Sequence, residues 1–323
     1  MQLQKSVSFT FTATLALTFT LTLTACDNPL QGCRTDQDCP ASAACILAEC
    51  RPLVGADLGS PDGGFTDLSM TSTADFSTPV PDGWSPDALA NSCTFNNDGV
   101  IARSEEPFLV GLGALFAVNP SGSTVAVNLT AQNMVWDFTA PVPSERKVFD
   151  QIVSPSGAWW SGDFPTATYA EKLDDGQAVL GVYRATTGAL QLLGVVSDQS
   201  GTSQTELTYA TPIDVLQFPL STTSSWTSES DVTGLASGIF FSAHEKYVFS
   251  VDSRGTTKTP AGAFDTLRLR LGYTQTYGLL VTTRITYLHL AECYGAVARV
   301  RSQDNETSND FTQATEYRRL AIQ

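Results

Sequence analysis

The sequence predicts an all-β protein: one large antiparallel β-domain, a sandwich or a curved half-barrel, preceded by a small disulfide-rich module and a disordered linker. Three observations carry this. Hydrophobic residues reach 42% and charged ones only 16%, enough for a substantial core but little charge for long solvated helices. Short β-like runs recur between turn residues, at 124–130, 147–153, 178–185, 190–197 and 215–220. Finally, Phe264-Asp265-Thr266-Leu267-Arg268-Leu269-Arg270-Leu271 alternates, sending three leucines to one face and two arginines to the other, as in a half-buried antiparallel strand.

In chain order, a single cation at Lys5 is followed by an uncharged stretch over 6–25 rich in Phe, Leu, Ala, Val, Ser and Thr, the plan of a signal peptide. Leu23-Thr24-Ala25-Cys26 resembles the bacterial lipobox: an aliphatic residue, a small residue and Ala or Gly before a cysteine. The resemblance implies cleavage after residue 25, a lipid on the Cys26 thiol and an anchored N-terminus over 26–32. Each buried methylene contributes about 0.8 kcal/mol, so two or three acyl chains hold a protein to a membrane almost permanently. A stretch this rich in Thr, ending in a lipobox and a Cys-rich segment, fits export better than a transmembrane helix. Asp27 resembles the enteric sorting signal for inner-membrane retention, a rule that varies between lineages, so the inner and outer membranes both stay open.

Seven cysteines stand at 26, 33, 39, 45, 50, 93 and 293, and setting aside Cys26 leaves six for an oxidising compartment. Cys33, Cys39, Cys45 and Cys50 form a stapled module over 33–50 whose internal pairing stays open. Structural zinc sites favour C-x-x-C pairs, which this segment lacks, so disulfides are expected and no metal. Cys33-Arg34-Thr35-Asp36-Gln37-Asp38-Cys39-Pro40 with the two later cysteines resembles a short motif of bacterial surface lipoproteins and is similar to half of a Dickkopf-type cysteine-rich domain. By remainder, Cys93 pairs with Cys293 and ties the start of the β-domain to one of its last strands.

Residues 51–91 carry Pro52, Pro61, Pro79, Pro81, Pro86 and six aspartates without helix or strand period, which reads as a flexible acidic linker. Its Asp-Gly pairs lack the alternating ligands of an EF-hand loop. The β-domain spans 92–323, with a hairpin turn at Asp174-Asp175-Gly176 and further alternating stretches at 277–290, 297–301 and 317–322. Pro260-Ala261-Gly262-Ala263-Phe264-Asp265 resembles the "PAGtFd" strand start of exported β-rich domains of unknown function, with Ser225-Trp226-Thr227 upstream and 287–301 downstream in matching places. That resemblance implies a fold without a reaction, and Phe264 is expected to plug the core.

Chemistry is sparsely signalled. With 33 acidic against 18 basic side chains, a nucleic-acid partner is disfavoured. Nine of the basic residues lie from Arg254 to Arg319, a mild asymmetry that fits a solvated sheet face. There are two histidines: His244 begins a zincin-like string with no partner four residues on, and His289 reads as a packed or half-exposed strand residue. No G-x-S-x-G occurs, and Gly111-Leu112-Gly113 lacks the rest of a dinucleotide fingerprint, so no catalytic residue and no cofactor is expected. Trp159-Trp160 offers an aromatic platform or buried packing. Arg268 with Arg270, and Arg299 with Arg301, share faces that could line an anion site.

The expected function is therefore a lipid-anchored extracytoplasmic, non-enzymatic binding or structural module. Its partners are membrane lipid through Cys26 and possible envelope protein or glycan. Alternatives are a carrier holding a hydrophobic ligand in a half-barrel, and a hydrolase with dispersed carboxylates.

Overall fold

The computed structural model describes residues 43–46, 49–52, 93, 95–106, 108–173 and 178–322. The signal peptide, Cys26, Cys33, Cys39, the body of the linker and the Asp174-Asp175-Gly176 turn lie outside the described residues, and Cys45 and Cys50 are described by backbone alone. The chain divides into two compact units, Met1–Phe76 and Ser77–Gln323. In the first, β1 (Ala43–Ile46) pairs antiparallel with β2 (Glu49–Pro52), and Cys45 stands opposite Cys50.

The second unit is nearly all strand. Its elements are β3 (Gly113–Val118), β4 (Val125–Ala126), β5 (Val135–Asp137), β6 (Arg146–Gln151), β7 (Tyr169–Lys172), β8 (Val179–Ala185) and β9 (Ala189–Ser197). There follow β10 (Glu206–Gln217), β11 (Ser225–Ala236), β12 (Ile239–Thr259), β13 (Gly262–Tyr277), β14 (Leu280–Ala291), β15 (Gly295–Ser302) and β16 (Gln313–Leu320). Twelve of these form one antiparallel sheet in the order β6-β3-β16-β15-β14-β13-β12-β11-β10-β9-β8-β7, while β4 adds to β16 and β5 runs parallel to β12.

The sheet curls until its two edges meet. Just past β6, Val153 exchanges both backbone hydrogen bonds with Ala170 of β7, at 2.8 and 3.0 Å. The result is a nearly closed up-and-down barrel, which settles the choice between sandwich and half-barrel and leaves few unpaired edge groups.

The barrel core gathers Leu192, Tyr209, Ile213, Val232, Tyr247, Phe249, Val251, Leu267, Leu269 and Leu290 on the inner face of β9–β14. Two further cores lie on the outer face. Residues 119–145 fold over β14–β16 and bury Leu129, Trp136 and Phe138 against Tyr287, Val300 and Tyr317. Residues 154–168 fold over β7–β9 and bury Trp160 and Phe164 against Val182, Leu193 and Val196. Between these covers the outer wall of β11 and β12 is exposed and polar, with Thr227, Glu229, Asp231, His244 and Lys246 facing outward. A membrane-spanning barrel has the opposite polarity, apolar outside and polar within.

One mouth of the barrel is closed by the chain that enters it. Cys93 is bonded to Cys293 in the β14–β15 turn, 200 residues away in sequence. From there Asn96 and Asn97 donate backbone N–H groups to Glu292 Oε2 at 3.0 and 2.8 Å. Ile101 pairs with Leu220 through two 2.8 Å backbone bonds, and the Cys293 N–H donates to the Glu105 carbonyl at 2.7 Å. Phe108 then stacks on Tyr169 with ring centroids 5.6 Å apart. A barrel of about eight strands can be filled by its own side chains. Twelve strands enclose more, and this segment supplies part of the filling.

The leucine and arginine faces of β13 appear as the alternation requires: Leu267, Leu269 and Leu271 face the barrel core, while Arg268 hydrogen-bonds the Leu129 carbonyl and Arg270 bonds Asn309 on the outer face. Two expectations need correction. Phe264 does not plug the core; it shares the outer face with Arg268 and packs edge-on to Tyr294, centroids 5.0 Å apart. The stretch 277–290 is no single strand, because Gly278, at φ +59°, turns the chain between β13 and β14.

Replacing Cys93 and Cys293 together by Ser should lower stability by up to about 5 kcal/mol, the loop-entropy value for a ring of this length. Thermal melts should then show a midpoint lower by up to about 10–20 °C. An unmoved midpoint would mean that the entering segment is held by packing alone.

Candidate functional site

The inner face of the barrel is not uniformly apolar. Where β15, β16, β3, β6 and β7 meet, the same alternation that sends leucines inward elsewhere sends charges inward. Arg299 stands opposite Leu288, and Arg301 opposite Thr286 and Glu316. The Glu316 carboxylate lies between both guanidiniums: Arg299 Nε donates to Oε1 at 2.6 Å and Arg301 Nε lies 3.4 Å from Oε2. Next to them Arg318 is paired with Asp150 of β6 at 2.5 Å, with both side chains buried. Its guanidinium also lies over the Phe116 ring, 3.8 Å from the centroid.

Two further acids reach this sector. Loss of surrounding water, then repulsion from Asp150, pushes Glu171 of β7 up to about 7, against the pull of Arg318 and Arg299. Burial pushes Glu106, in the entering segment, up to about 8; Arg103 opposes the shift, and Glu171 and Glu105 add to it. Glu106 is 3% exposed, and its Oε1 has no hydrogen-bond partner among the described residues. Tyr169 and Tyr183 stack beside these acids with centroids 5.2 Å apart, and burial raises both hydroxyls above their ordinary range.

A second buried carboxylate sits deeper in the apolar half. Glu245 of β12 accepts from Tyr273 at 2.7 Å and Gln275 at 2.8 Å on one oxygen, and from Tyr209 at 2.8 Å and Tyr247 at 2.6 Å on the other. Four donors satisfy both oxygens, and the Arg284 guanidinium lies over the Tyr273 ring at 5.9 Å. Burial raises the three tyrosine hydroxyls and keeps them as donors.

A cavity of about 190 Å³ opens at the edge of the charged sector, lined by Asn119, Ser123, Arg146, Arg301, Thr315 and Glu316 among others. Its lining joins hydroxyls, an amide and an ion-paired guanidinium with the carbon faces of those side chains and Val118. Among the described residues, no group of three or more His, Cys, Asp or Glu is placed to hold a metal ion.

The residues singled out from sequence are dispersed. Trp160 is buried at 2% exposure, whereas Trp159 is half-buried and donates its indole N–H to the Ser197 carbonyl at 3.1 Å, so the pair packs under the 154–168 cover. Arg268 and Arg270 lie on the outer face, where Arg268 pairs with Asp252 and rests on the Trp136 and Tyr287 rings, while Arg299 and Arg301 lie on the inner face. The wall of the barrel separates the two arginine pairs. His244 meets Asp231 on the outer wall at 2.9 Å. His289 is fully buried against the edges of Trp136 and Phe138, bonded to Thr257 at 2.8 Å and pushed down to about 3 by burial and then by Arg268.

Sequence reading missed Glu106, Asp150, Glu171 and Glu245. For Glu245 a signal exists, since it stands between Ala243 and Tyr247 on the face that continues to Phe249 and Val251. No family model matches the chain, and no curated protein or solved structure matches it.

Folded Glu106 keeps its proton to about pH 8, whereas its ordinary value is 4.5. Between those values the native state binds more protons than the unfolded one, so this group's contribution is present below about 4.5 and is lost as pH rises to 8. Glu106→Gln should therefore raise the thermal midpoint by several degrees at pH 8, with little change at pH 4.5, and so flatten the profile between them. Equal shifts at both ends would show that the side chain acts through packing only.

Proposed function

We propose that the chain is an extracytoplasmic lipoprotein, held to a membrane by acylated Cys26, whose barrel serves the cell envelope as a non-enzymatic binding or structural module. The observation that carries the second half is the state of the barrel's interior. Leucines and tyrosines fill one half, ion pairs fill the other, and the segment from Cys93 covers one mouth. Function then falls to the outer surface, which supports an envelope protein, a glycan or lipid as partner.

The carrier reading needs an apolar chamber, and the space along β9–β14 is taken up by Leu192, Ile213, Phe249 and Leu269. A hydrolase reading draws support from Glu106, Glu171 and Asp150 meeting in one sector. Glu106, in the entering segment, and Asp150, on β6, are however both buried, away from any substrate in solution. As ion-paired or protonated groups they serve the barrel itself.

The lipobox makes the anchoring directly testable. Mass spectrometry of the native protein should find its first residue to be Cys26 carrying acyl chains, and Cys26→Ser should shift the chain from the membrane fraction to the soluble extracytoplasmic fraction. An uncut, unmodified N-terminus in the host would overturn the proposal.

A further inference from the structure

The mouth opposite the plugged one carries the least expected surface on the molecule. Two neighbouring hairpins end there, β11–β12 turning at Ser237-Gly238 and β13–β14 turning at Gly278-Leu279. Ile239 and Phe240 are 74% and 71% exposed at the first tip, and Leu279 and Leu280 are 104% and 64% exposed at the second. Tyr277 and Val281 are half exposed beside them. Phe241 stacks on Tyr277 with centroids 5.5 Å apart and planes at 10°, which joins the tips into one ridge.

We infer that this ridge inserts into a lipid bilayer surface. Charge is what distinguishes it from other exposed apolar groups. Residues 232–243 and 271–283 contain no charged side chain; the next charges on these strands are Asp231 with its partner His244, and Arg284, while on the neighbouring β10 Glu206 stands opposite Leu235. From the Ser237 turn back to Leu235, the level of Glu206, two residues at about 3.3 Å each give about 7 Å of strand. A tilt of about 40° turns that into about 5 Å of height. Apolar elements at an interface sink about 5–10 Å, so the tips reach the shallow end of that range before Glu206 meets the headgroups. The plugged mouth also exposes Phe95, Leu109, Val110 and Tyr294, but there Asp98, the Arg254–Asp265 pair and Glu292 lie along the same stretch as Phe95 and Tyr294.

The surroundings also identify the kind of membrane contact. The loop between β15 and β16 is tied to the ridge by Asn305, whose N–H donates to the Thr283 carbonyl at 2.7 Å, and it carries Asp304, Glu306 and Asp310. Arg284, the nearest cation on β14, is already paired with Asp304. An acidic rim repels anionic headgroups, so insertion is driven by apolar burial rather than by charge. A flat protein partner would leave Leu279 standing out of the interface, whereas lipid closes around two separate tips.

This inference deepens the proposed function and rests on its placing the chain beside a membrane. Cys93 enters at the plugged mouth, and residues 27–92 supply 92 − 26 = 66 residues between it and Cys26. Leaving out the stapled module and the β1–β2 hairpin, residues 53–92 are 40 residues that reach about 130 Å fully extended, so the anchored end does not prevent the ridge from meeting the same bilayer.

Flotation of the mature chain, residues 26–323 with Cys26→Ser and no lipid, separates the two ideas. It should float with phosphatidylcholine vesicles, equally well at low and high salt, and adding phosphatidylglycerol should not strengthen it. Phe240→Asp with Leu279→Asp should cut the bound fraction about tenfold or more. Leu279→Asp alone, at a fully exposed turn residue, should weaken binding with the thermal midpoint unchanged. No flotation, flotation only with anionic lipid, or flotation indifferent to both variants would each overturn the inference. So would a dimer that both variants dissolve in the absence of vesicle binding. Since this protein carries no acyl group, failure here leaves the Cys26 anchor untouched, and an unmodified native Cys26 leaves this result standing.

Discussion

Closing the ring is the constraint on which the rest of the β-domain depends. A curled sheet with open edges exposes rows of unpaired N–H and C=O groups, and the Val153–Ala170 exchange removes the seam where they would appear. Closure creates a second problem, because twelve strands enclose more space than their own side chains readily fill. The chain solves it with the segment that leads into the barrel, pinned at Cys93 to Cys293, clasped by Glu292 and Glu105, and extended inward through Ile101 and Phe108. Without that stretch Tyr169 would lose the ring stacked on it, and Leu220 its backbone partner.

The two halves of the interior are filled by different means, and strand length accounts for the difference. β10 to β14 run from 12 to 21 residues and bring enough alternating apolar positions to build a conventional core. β3, β6 and β7 have 6, 6 and 4 residues and complete the ring with few side chains each. There long arginines and their carboxylates span the gap. Buried ion pairs contribute little net stability, because desolvation offsets their attraction. What they supply is reach and register: Glu316 holds two guanidiniums, and Arg318 finds Asp150 across β3. Acids not neutralised this way hold their protons more tightly, Glu106 up to about 8 and Glu171 up to about 7.

How much of this was legible follows from which interactions are local. The β13 alternation and the runs that became β6, β8 and β9 follow from period-two patterning, which needs no knowledge of partners. The full length of β12, the longest strand, escaped because its inner face interrupts Ala243, Tyr247 and Phe249 with Glu245, and a carboxylate reads as solvent-facing until its four donors are seen to come from β10, β13 and its own strand. Phe264 was misplaced for the converse reason, since its apolar character outweighed a parity that puts it on the same face as Arg268. The acidic sector draws on a loop and strands β6, β7, β15 and β16, so no short window contained it. The arginine pairs were visible as pairs, yet which side of the wall each occupies depends on sheet curvature, which patterning does not encode.

The outer surface is covered where its apolar groups cluster: 119–145 lies over Tyr287, Val300 and Tyr317, and 154–168 lies over Val182, Leu193 and Val196. Elsewhere the wall is mainly polar, with single apolar groups such as Phe149 and Val248 left part exposed. Neither cover reaches Ile239, Phe240, Leu279 and Leu280, which stand together at two neighbouring tips. Turns of this kind need only glycine and small polar residues for their geometry, so leucine at full exposure contributes nothing to the hairpin's own folding. Water disfavours those side chains and the fold does not require them, so the reason for their presence lies in a phase outside the molecule.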